Sequence, residues 1–141
     1  MWPQTFGERL ESWQSLRHRC NDLDSEMALA SINFWWFQTP WRAYHLHWDD
    51  RNFWPDPWQL LDDNLYCGLA RGLGIMYTIA LLERSDLQDA VLIESQGDNL
   101  VLVNQKKYIL NWDADQIVNI NIGNQTPKHS VSLEQIKQQI K

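Results

Sequence analysis

The first third of the chain places its apolar residues with the period of an α-helix. In the opening segment they recur every three to four positions, at Phe6, Leu10, Trp13, Leu16 and Cys20. This spacing predicts an amphipathic helix over residues 6–20. Asp22 or Asp24 then caps a second predicted helix that runs to Phe37, before Thr39 and Pro40 end it.

The middle of the chain predicts a short extended segment followed by two helices. Residues 44–48 alternate in polarity, and residues 49–52 turn the chain. Asp56 followed by Pro57 is a typical helix start, so a short helix is predicted through Leu61. The next helix, predicted over residues 65–83, is apolar on most faces and therefore central and buried. Three glycines within it indicate close approach by a neighbouring element, namely Gly68, Gly72 and Gly74.

The last third changes to the patterns of β-strands. Strands are predicted over residues 90–95, 100–103, 108–112 and 118–122, with a hairpin turn at residues 96–99. Ser132 and Gln135 form a capping box that predicts a short final helix through Ile140. Helices followed by successive strands indicate an α+β fold with an antiparallel meander.

Composition and charge narrow the class of protein. The 141 residues, 44% of them apolar, suit a single domain over residues 1–141, with a helical tryptophan-rich part to residue 50. The net charge of −6 without a basic patch argues against nucleic-acid binding. We expect no membrane span and no secretion signal, because a long apolar segment and a basic leader are both missing from the sequence.

Tryptophan is the unusual residue of this composition. Six of the nine tryptophans fall between residues 35 and 58, and they are Trp35, Trp36, Trp41, Trp48, Trp54 and Trp58. Large aromatic side chains form either a dense core or a contact surface. Since a small domain has limited interior, we expect some of them at an interface with another protein subunit or with a second copy of the chain. Stacking on a sugar is the alternative use of such a surface.

Cys67 is the candidate nucleophile. It lies in the first turn of the predicted central helix and follows the aromatic turn Trp54-Pro-Asp-Pro-Trp58. A helix N-terminus favours a thiolate, but a nucleophilic thiol also needs a base nearby. A buried structural cysteine, or a disulfide with Cys20, are the other interpretations.

Residues 52–112 resemble the bacterial transglutaminase-like cysteine peptidases, which have a papain-like fold. The likeness rests on residues 52–61, on Cys67 at the head of a helix, and on the strands Asp89-Ala-Val-Leu-Ile-Glu-Ser and Asn99-Leu-Val-Leu-Val-Asn104. It implies that Cys67 is the nucleophile and Asn104 the residue that orients the base. The position of the catalytic histidine is then occupied by Asp89, which cannot activate a thiol as an imidazole does.

The resemblance therefore implies a scaffold that has lost its catalytic histidine. The tryptophan-rich N-terminal part is also similar to small structural proteins of tailed bacteriophages. Together these likenesses lead to the expectation of a non-catalytic docking or structural protein, a virion component of the tail, baseplate or neck, located in the virion or the host cytoplasm. The alternative is an active cysteine hydrolase or acyltransferase in which His45 or His47 serves as the base.

No cofactor is expected from the sequence. A glycine-rich phosphate loop is missing, and the paired acids Asp62-Asp63 suit turns and caps. His45 and His47, with Asp49 or Asp50, have ligand chemistry for a divalent metal. Two histidines at that spacing are too few for a typical structural site, so the interpretation we favour has no metal.

Overall fold

The computed structural model describes residues 2–43, 45–82, 84–118 and 126–140. The helices are α1 (Phe6–Cys20), α2 (Ser25–Phe37), α3 (Pro57–Asp63), α4 (Gly68–Leu82) and α5 (Leu133–Lys137). Short 3₁₀ helices span Trp48–Phe53 and Ser85–Leu87. The strands are β1 (Val91–Ser95), β2 (Asp98–Val103), β3 (Tyr108–Leu110) and β4 (His129–Ser132). The predicted α+β class is confirmed.

Side-chain caps define where the helices begin. Thr5 and Glu8 form a capping box on α1, and Ser132 and Gln135 form the predicted one on α5. The Asp24 carboxylate accepts the N–H of Met27 at the start of α2. Asp56 caps α3 in the same way, with Pro57 at the first helical position. These local signals explain why the starts of α1, α2, α3 and α5 agree with the predictions.

The start of α4 differs from the prediction by three residues. Asn64 adopts a left-handed conformation (φ 56°) and ends α3. Tyr66 then forms a parallel bridge with Trp41. The chain therefore stays extended up to Cys67, and α4 begins at Gly68.

The sheet has the order β3-β2-β1-β4, with all neighbours antiparallel. Gln96 and Gly97 both have positive φ, so they form the two-residue turn whose twist suits a β-hairpin between β1 and β2. The meander prediction holds for β1 to β3, and the fourth strand of the sheet, β4, is one that the sequence pattern did not predict. β4 pairs with β1 on the opposite edge, which brings residues from the end of the chain beside the hairpin.

The predicted strand over residues 118–122 lies mostly outside the described residues. Within them, Val118 forms an isolated bridge with Tyr108. Of the predicted extended segment over residues 44–48, the described residues 45–48 belong to no strand of the sheet. Its last residue, Trp48, instead begins a 3₁₀ helix.

α4 lies at the centre of the core and packs against α2, α5 and one face of the sheet. Leu92 on β1 meets α4 at Gly72, where a Cβ would come within 2.7 Å of Leu92 Cδ1. The close approach that the glycines predict is therefore present. A second, smaller apolar cluster lies on the other face of the sheet and consists of Ile93, Leu100, Leu102 and Ile109.

Two buried phenols make the stability sensitive to alkaline pH. Burial raises the pKa of Tyr66 and of Tyr77, and the nearby Asp56 carboxylate adds to the rise for Tyr77. Their hydroxyls donate to the carbonyls of Leu60 (3.2 Å) and Pro55 (2.5 Å). The folded state thus holds these protons more tightly than the unfolded chain, whose tyrosines ionise near pH ~10.

We expect this contribution to be complete below pH ~10 and to be lost as the pH rises above that value. Each phenol lowers the free energy of unfolding by about 1.4 kcal/mol per pH unit in that range. Chemical denaturation at several values between pH ~9 and ~12 measures the slope. Tyr77→Phe should reduce it by about half, whereas an identical slope in this variant would contradict the assignment.

Candidate functional site

Cys67 lies at the N-terminus of α4 with its thiol almost fully buried. The side chain is 4% exposed, and its Sγ accepts the backbone N–H of Ala70 at 3.5 Å, as a helix-capping group does. A second backbone N–H, from Leu46, points at the sulfur from outside the helix at 3.4 Å. The sulfur is thus surrounded by the positive ends of peptide dipoles.

The segment before the first 3₁₀ helix crosses the start of α4. The N–H of Arg42 donates to the carbonyl of Tyr66 (2.8 Å), and Leu46 reaches Cys67 as described. This crossing places the side chains of Trp41, His47 and Trp48 around the sulfur, in a cavity of about 480 Å³ that Cys67 also lines.

A row of three polar residues across the sheet also lines this cavity. Glu94 at the end of β1 pairs with Asn99 on β2 and with His129 on β4. Directly paired residues project from the same face of a sheet. Glu94 lies two residues after Leu92, which contacts α4, so the row also faces α4. All three residues line the cavity with Cys67.

His129 is the better placed of the two histidines in the cavity. Its Nε2 lies 3.6 Å from Oε1 of Glu94. Its ring stacks on the indole of Trp48, with centroids 5.3 Å apart and planes at 8°. The stacking and the nearby carboxylate restrain the imidazole, and Nδ1 is the ring nitrogen for which the described residues provide no hydrogen bond or ion pair. His47 is exposed, and the structure gives its imidazole no comparable support.

The sulfur and the imidazole share the cavity without touching. Among the described residues, no hydrogen bond joins Cys67 Sγ to either histidine. Catalytic hydrogen bonds are often long before substrate binds. A thiol and an imidazole therefore line one cavity of about 480 Å³ without a direct bond between them in the described part of the chain.

Two asparagines connect the row to the helix start. Asn99 accepts the indole N–H of Trp48 through Oδ1 (2.9 Å). Its Nδ2 lies 3.1 Å from the point that a Cβ on Gly68 would occupy. Asn111 donates through Nδ2 to the carbonyls of Gly68 (2.8 Å) and Asn99 (2.7 Å). These bonds hold β2 against the helix end that carries Cys67.

The structure brings only some of the predicted catalytic residues together. Cys67 and His47 line one cavity, whereas His45 is not among its lining residues. Asn104 lines a separate depression with Asp89, whose carboxylate accepts the N–H of Asn104 at 2.9 Å. Asn104 lies five residues beyond Asn99, about 16 Å along an extended strand. The structure therefore does not place Asn104, which was predicted to orient the base, in the cavity that Cys67 lines.

His129 is the site residue that sequence reasoning missed. The resemblance placed the base at residue 89, on the strand after the central helix, and so led to the expectation that the scaffold has lost its catalytic histidine. The sequence signal was a short alternation, His129-Ser-Val-Ser132, directly before the capping box of α5. Without the β1–β4 pairing, nothing in that signal places the histidine beside Cys67.

The tryptophans divide between the core and the surface. Trp35, Trp36 and Trp54 are buried, so they cannot form the contact surface predicted for them in this fold. Trp41 and Trp58 are exposed at 60% and 37%, and Trp48 is partly buried in the cavity wall. Burial is possible because each of these indole N–H groups donates a hydrogen bond within the protein. The acceptors are Ser12 Oγ for Trp35, Thr78 Oγ1 for Trp36 and the His47 carbonyl for Trp54.

The disulfide interpretation is not supported, since Cys20 and Cys67 are both free thiols. Cys20 is buried between α1 and α2, where its Sγ contacts the carbonyl of Ala28 at 3.7 Å.

Within the described residues, no cluster of three or more metal-ligating side chains is found. In the same part of the chain, no helix is long and apolar enough to cross a membrane.

Comparison with models of protein families, with curated proteins and with solved structures finds no match to this chain. The geometry of the cavity is therefore the observation that bears on function.

Proposed function

We propose that this chain is a cysteine-dependent acyl-transfer enzyme, a hydrolase or acyltransferase. Cys67 is the nucleophile, His129 the general base and Glu94 the residue that orients the imidazole. The observation that supports this assignment is the shared cavity, which is lined by a thiol at a helix N-terminus and by a histidine that lies 3.6 Å from a carboxylate oxygen. A nucleophile, a base and an orienting acid are the three parts that such chemistry requires.

The proposed reaction uses groups that line the cavity. The thiol proton passes to Nδ1 of His129 as Sγ bonds to the carbonyl carbon of the substrate. The bond to the leaving group then breaks, and the leaving group departs with that proton. Water or an amine, deprotonated by the same imidazole, attacks the thioester carbon and releases Cys67 as the acyl group is transferred.

The negative oxygen of the tetrahedral intermediate needs hydrogen-bond donors. The first N–H groups of a helix have no partner within the helix, so those of Gly68 and Leu69 are suited to this role. The Nδ2 of Asn99, close to Gly68, is a third candidate donor.

The papain-like assignment drawn from the transglutaminase-like resemblance stays a prediction, although a cysteine-headed helix packed on an antiparallel sheet is compatible with it.

Alkylation of the two thiols tests the proposal within one molecule. We expect iodoacetamide at pH ~7 to modify Cys67 at least about tenfold faster than Cys20, which is fully buried and whose pKa is raised by burial. His129→Gln should slow modification of Cys67 by about tenfold or more, and His47→Gln by less than about twofold. Peptide mass spectrometry after timed quenching gives both rates.

Incubation with p-nitrophenyl acetate extends the test to acyl transfer. The expected result is a burst of p-nitrophenol with one acetyl group on Cys67, which is missing in Cys67→Ala. Modification of Cys67 as slow as that of Cys20, or a rate unchanged by His129→Gln, would refute the enzyme proposal.

A docking role is the second candidate, and the exposed aromatic residues beside the aromatic turn favour it. Phe53 is 83% exposed and Trp58 is 37% exposed, on either side of buried Trp54. Apolar side chains of this size on a surface suit a protein partner or a second copy of the chain. The virion setting inferred from the phage resemblance stays a prediction.

Sedimentation of the purified chain tests self-association. We expect the apparent mass to fall toward that of the monomer in Phe53→Ser/Trp58→Ser, but to stay unchanged in the matched surface variant Gln14→Ser. A wild-type chain that is monomeric up to about 100 μM would argue against self-association, since micromolar affinity needs only about 8 kcal/mol.

A further inference from the structure

Arg71 is a cation in the Cys67 cavity that forms no salt bridge with the residues described here. It follows Cys67 by four residues, and its backbone N–H donates to the Cys67 carbonyl at 2.9 Å. Both residues line the cavity. A positive group is thus built into the wall next to the nucleophile.

The guanidinium is held by aromatic rings instead of by acids. Its Cζ lies 4.3 Å from the ring centroid of Phe37 and 5.4 Å from that of Trp41. Its Nε is buried and has no hydrogen-bond partner in the described part of the chain. Stacking on the two rings restrains the plane of the guanidinium. The guanidinium therefore lines the cavity with no carboxylate of the described residues paired to it.

We propose that Arg71 binds a carboxylate of the substrate, so that the enzyme prefers acyl compounds that carry a carboxylate close to the reacting carbonyl. This inference rests on the proposed function of Cys67. The planar guanidinium matches a carboxylate through two parallel hydrogen bonds. A singly charged group fits better than a phosphate dianion, because Asp49, Glu94 and Asp98 also line the cavity and repel excess negative charge.

A pair of nearly isosteric alkylating agents tests the carboxylate subsite apart from the enzyme proposal. Iodoacetamide is neutral and reports the reactivity of Cys67, whereas iodoacetate carries a carboxylate next to the reacting carbon. The measured quantity is the ratio of their rates at Cys67, iodoacetate over iodoacetamide. Arg71→Gln is expected to lower this ratio by about tenfold, and the rate with iodoacetamide by a much smaller factor.

Two further variants separate a subsite from a general field. Arg71→Lys keeps the charge without the planar fork and should give an intermediate ratio. Lys128→Gln removes another cation from the same cavity and should change the ratio by less than about twofold. A ratio unchanged in Arg71→Gln, or lowered equally in Lys128→Gln, overturns the subsite. Slow reaction of wild-type Cys67 with both agents would instead refute the proposed function.

Discussion

We expect Gly74→Ala to lower the free energy of unfolding by about 3 kcal/mol or more. A Cβ at residue 74 would lie 2.4, 2.5 and 2.7 Å from three carbons of the Trp36 ring, distances that folded proteins do not tolerate. Overpacking in a core commonly costs about 1–3 kcal/mol, and the cost is greatest where the neighbour is rigid. The Trp36 ring is rigid here because it is fully enclosed and hydrogen bonded.

The contacts of Trp36 show why it cannot move aside. Its ring packs edge to face on Trp35 at a centroid distance of 4.9 Å and on Tyr66 at 5.9 Å. Its indole N–H donates to Thr78 Oγ1 at 2.9 Å. Any displacement that relieves the new methyl group breaks these contacts, so the cost falls on the folded state as a whole.

Gly7→Ala in α1 is the matched control. It adds the same methyl group to a helical glycine with nothing within 4 Å of the new Cβ, so the variant should be neutral or more stable by up to about 1 kcal/mol. Urea denaturation followed by circular dichroism compares the two variants. A loss below about 1 kcal/mol in Gly74→Ala would show that the contact between α2 and α4 is loose.

Thr78→Val is expected to destabilise the fold by about 2–4 kcal/mol without changing side-chain volume. The Thr78 hydroxyl accepts two buried indole N–H groups, from Trp13 and Trp36, each at 2.9 Å. It donates in turn to the Gly74 carbonyl at 2.8 Å. Valine leaves both indole donors without an acceptor, and each buried unsatisfied group costs about 1–3 kcal/mol.

Thr78→Ser separates the hydroxyl from the methyl group. Serine keeps the acceptor and should lose only about 1 kcal/mol, the contribution of one buried methyl. Equal losses in Thr78→Ser and Thr78→Val, measured by the same denaturation, would indicate that packing rather than hydrogen bonding decides stability here. The near-ultraviolet circular dichroism of the indoles should change in the valine variant alone.

Gly74 and Thr78 both lie on α4, the helix that begins directly after Cys67. Trp13 on α1 and Trp36 on α2 both bond to Thr78, so a single hydroxyl joins three helices. Helix α4, which carries Thr78, also presents Cys67 at its N-terminus. The buried tryptophans therefore hold the helix that carries the candidate nucleophile, while Trp41 and Trp48 line the cavity that Cys67 also lines.

The sequence by itself determined the helices and the fold class. Caps act within one helical turn, so Asp24, Asp56 and the pair Ser132 and Gln135 indicated helix starts without any tertiary information. The apolar faces of residues 65–83 likewise required a buried central helix. Cys67 at the head of that helix was readable for the same reason, because helix position and residue identity are both local.

Only the tertiary structure decided which residues accompany Cys67. Pairing of β4 with β1 joins residues 94 and 129, and no local propensity encodes a contact across that separation. The same holds for the tryptophans, since burial depends on acceptors such as Thr78 that lie on other helices. Fold class follows from short-range periodicity, whereas the base of the candidate site and the division between buried and exposed indoles follow from long-range packing.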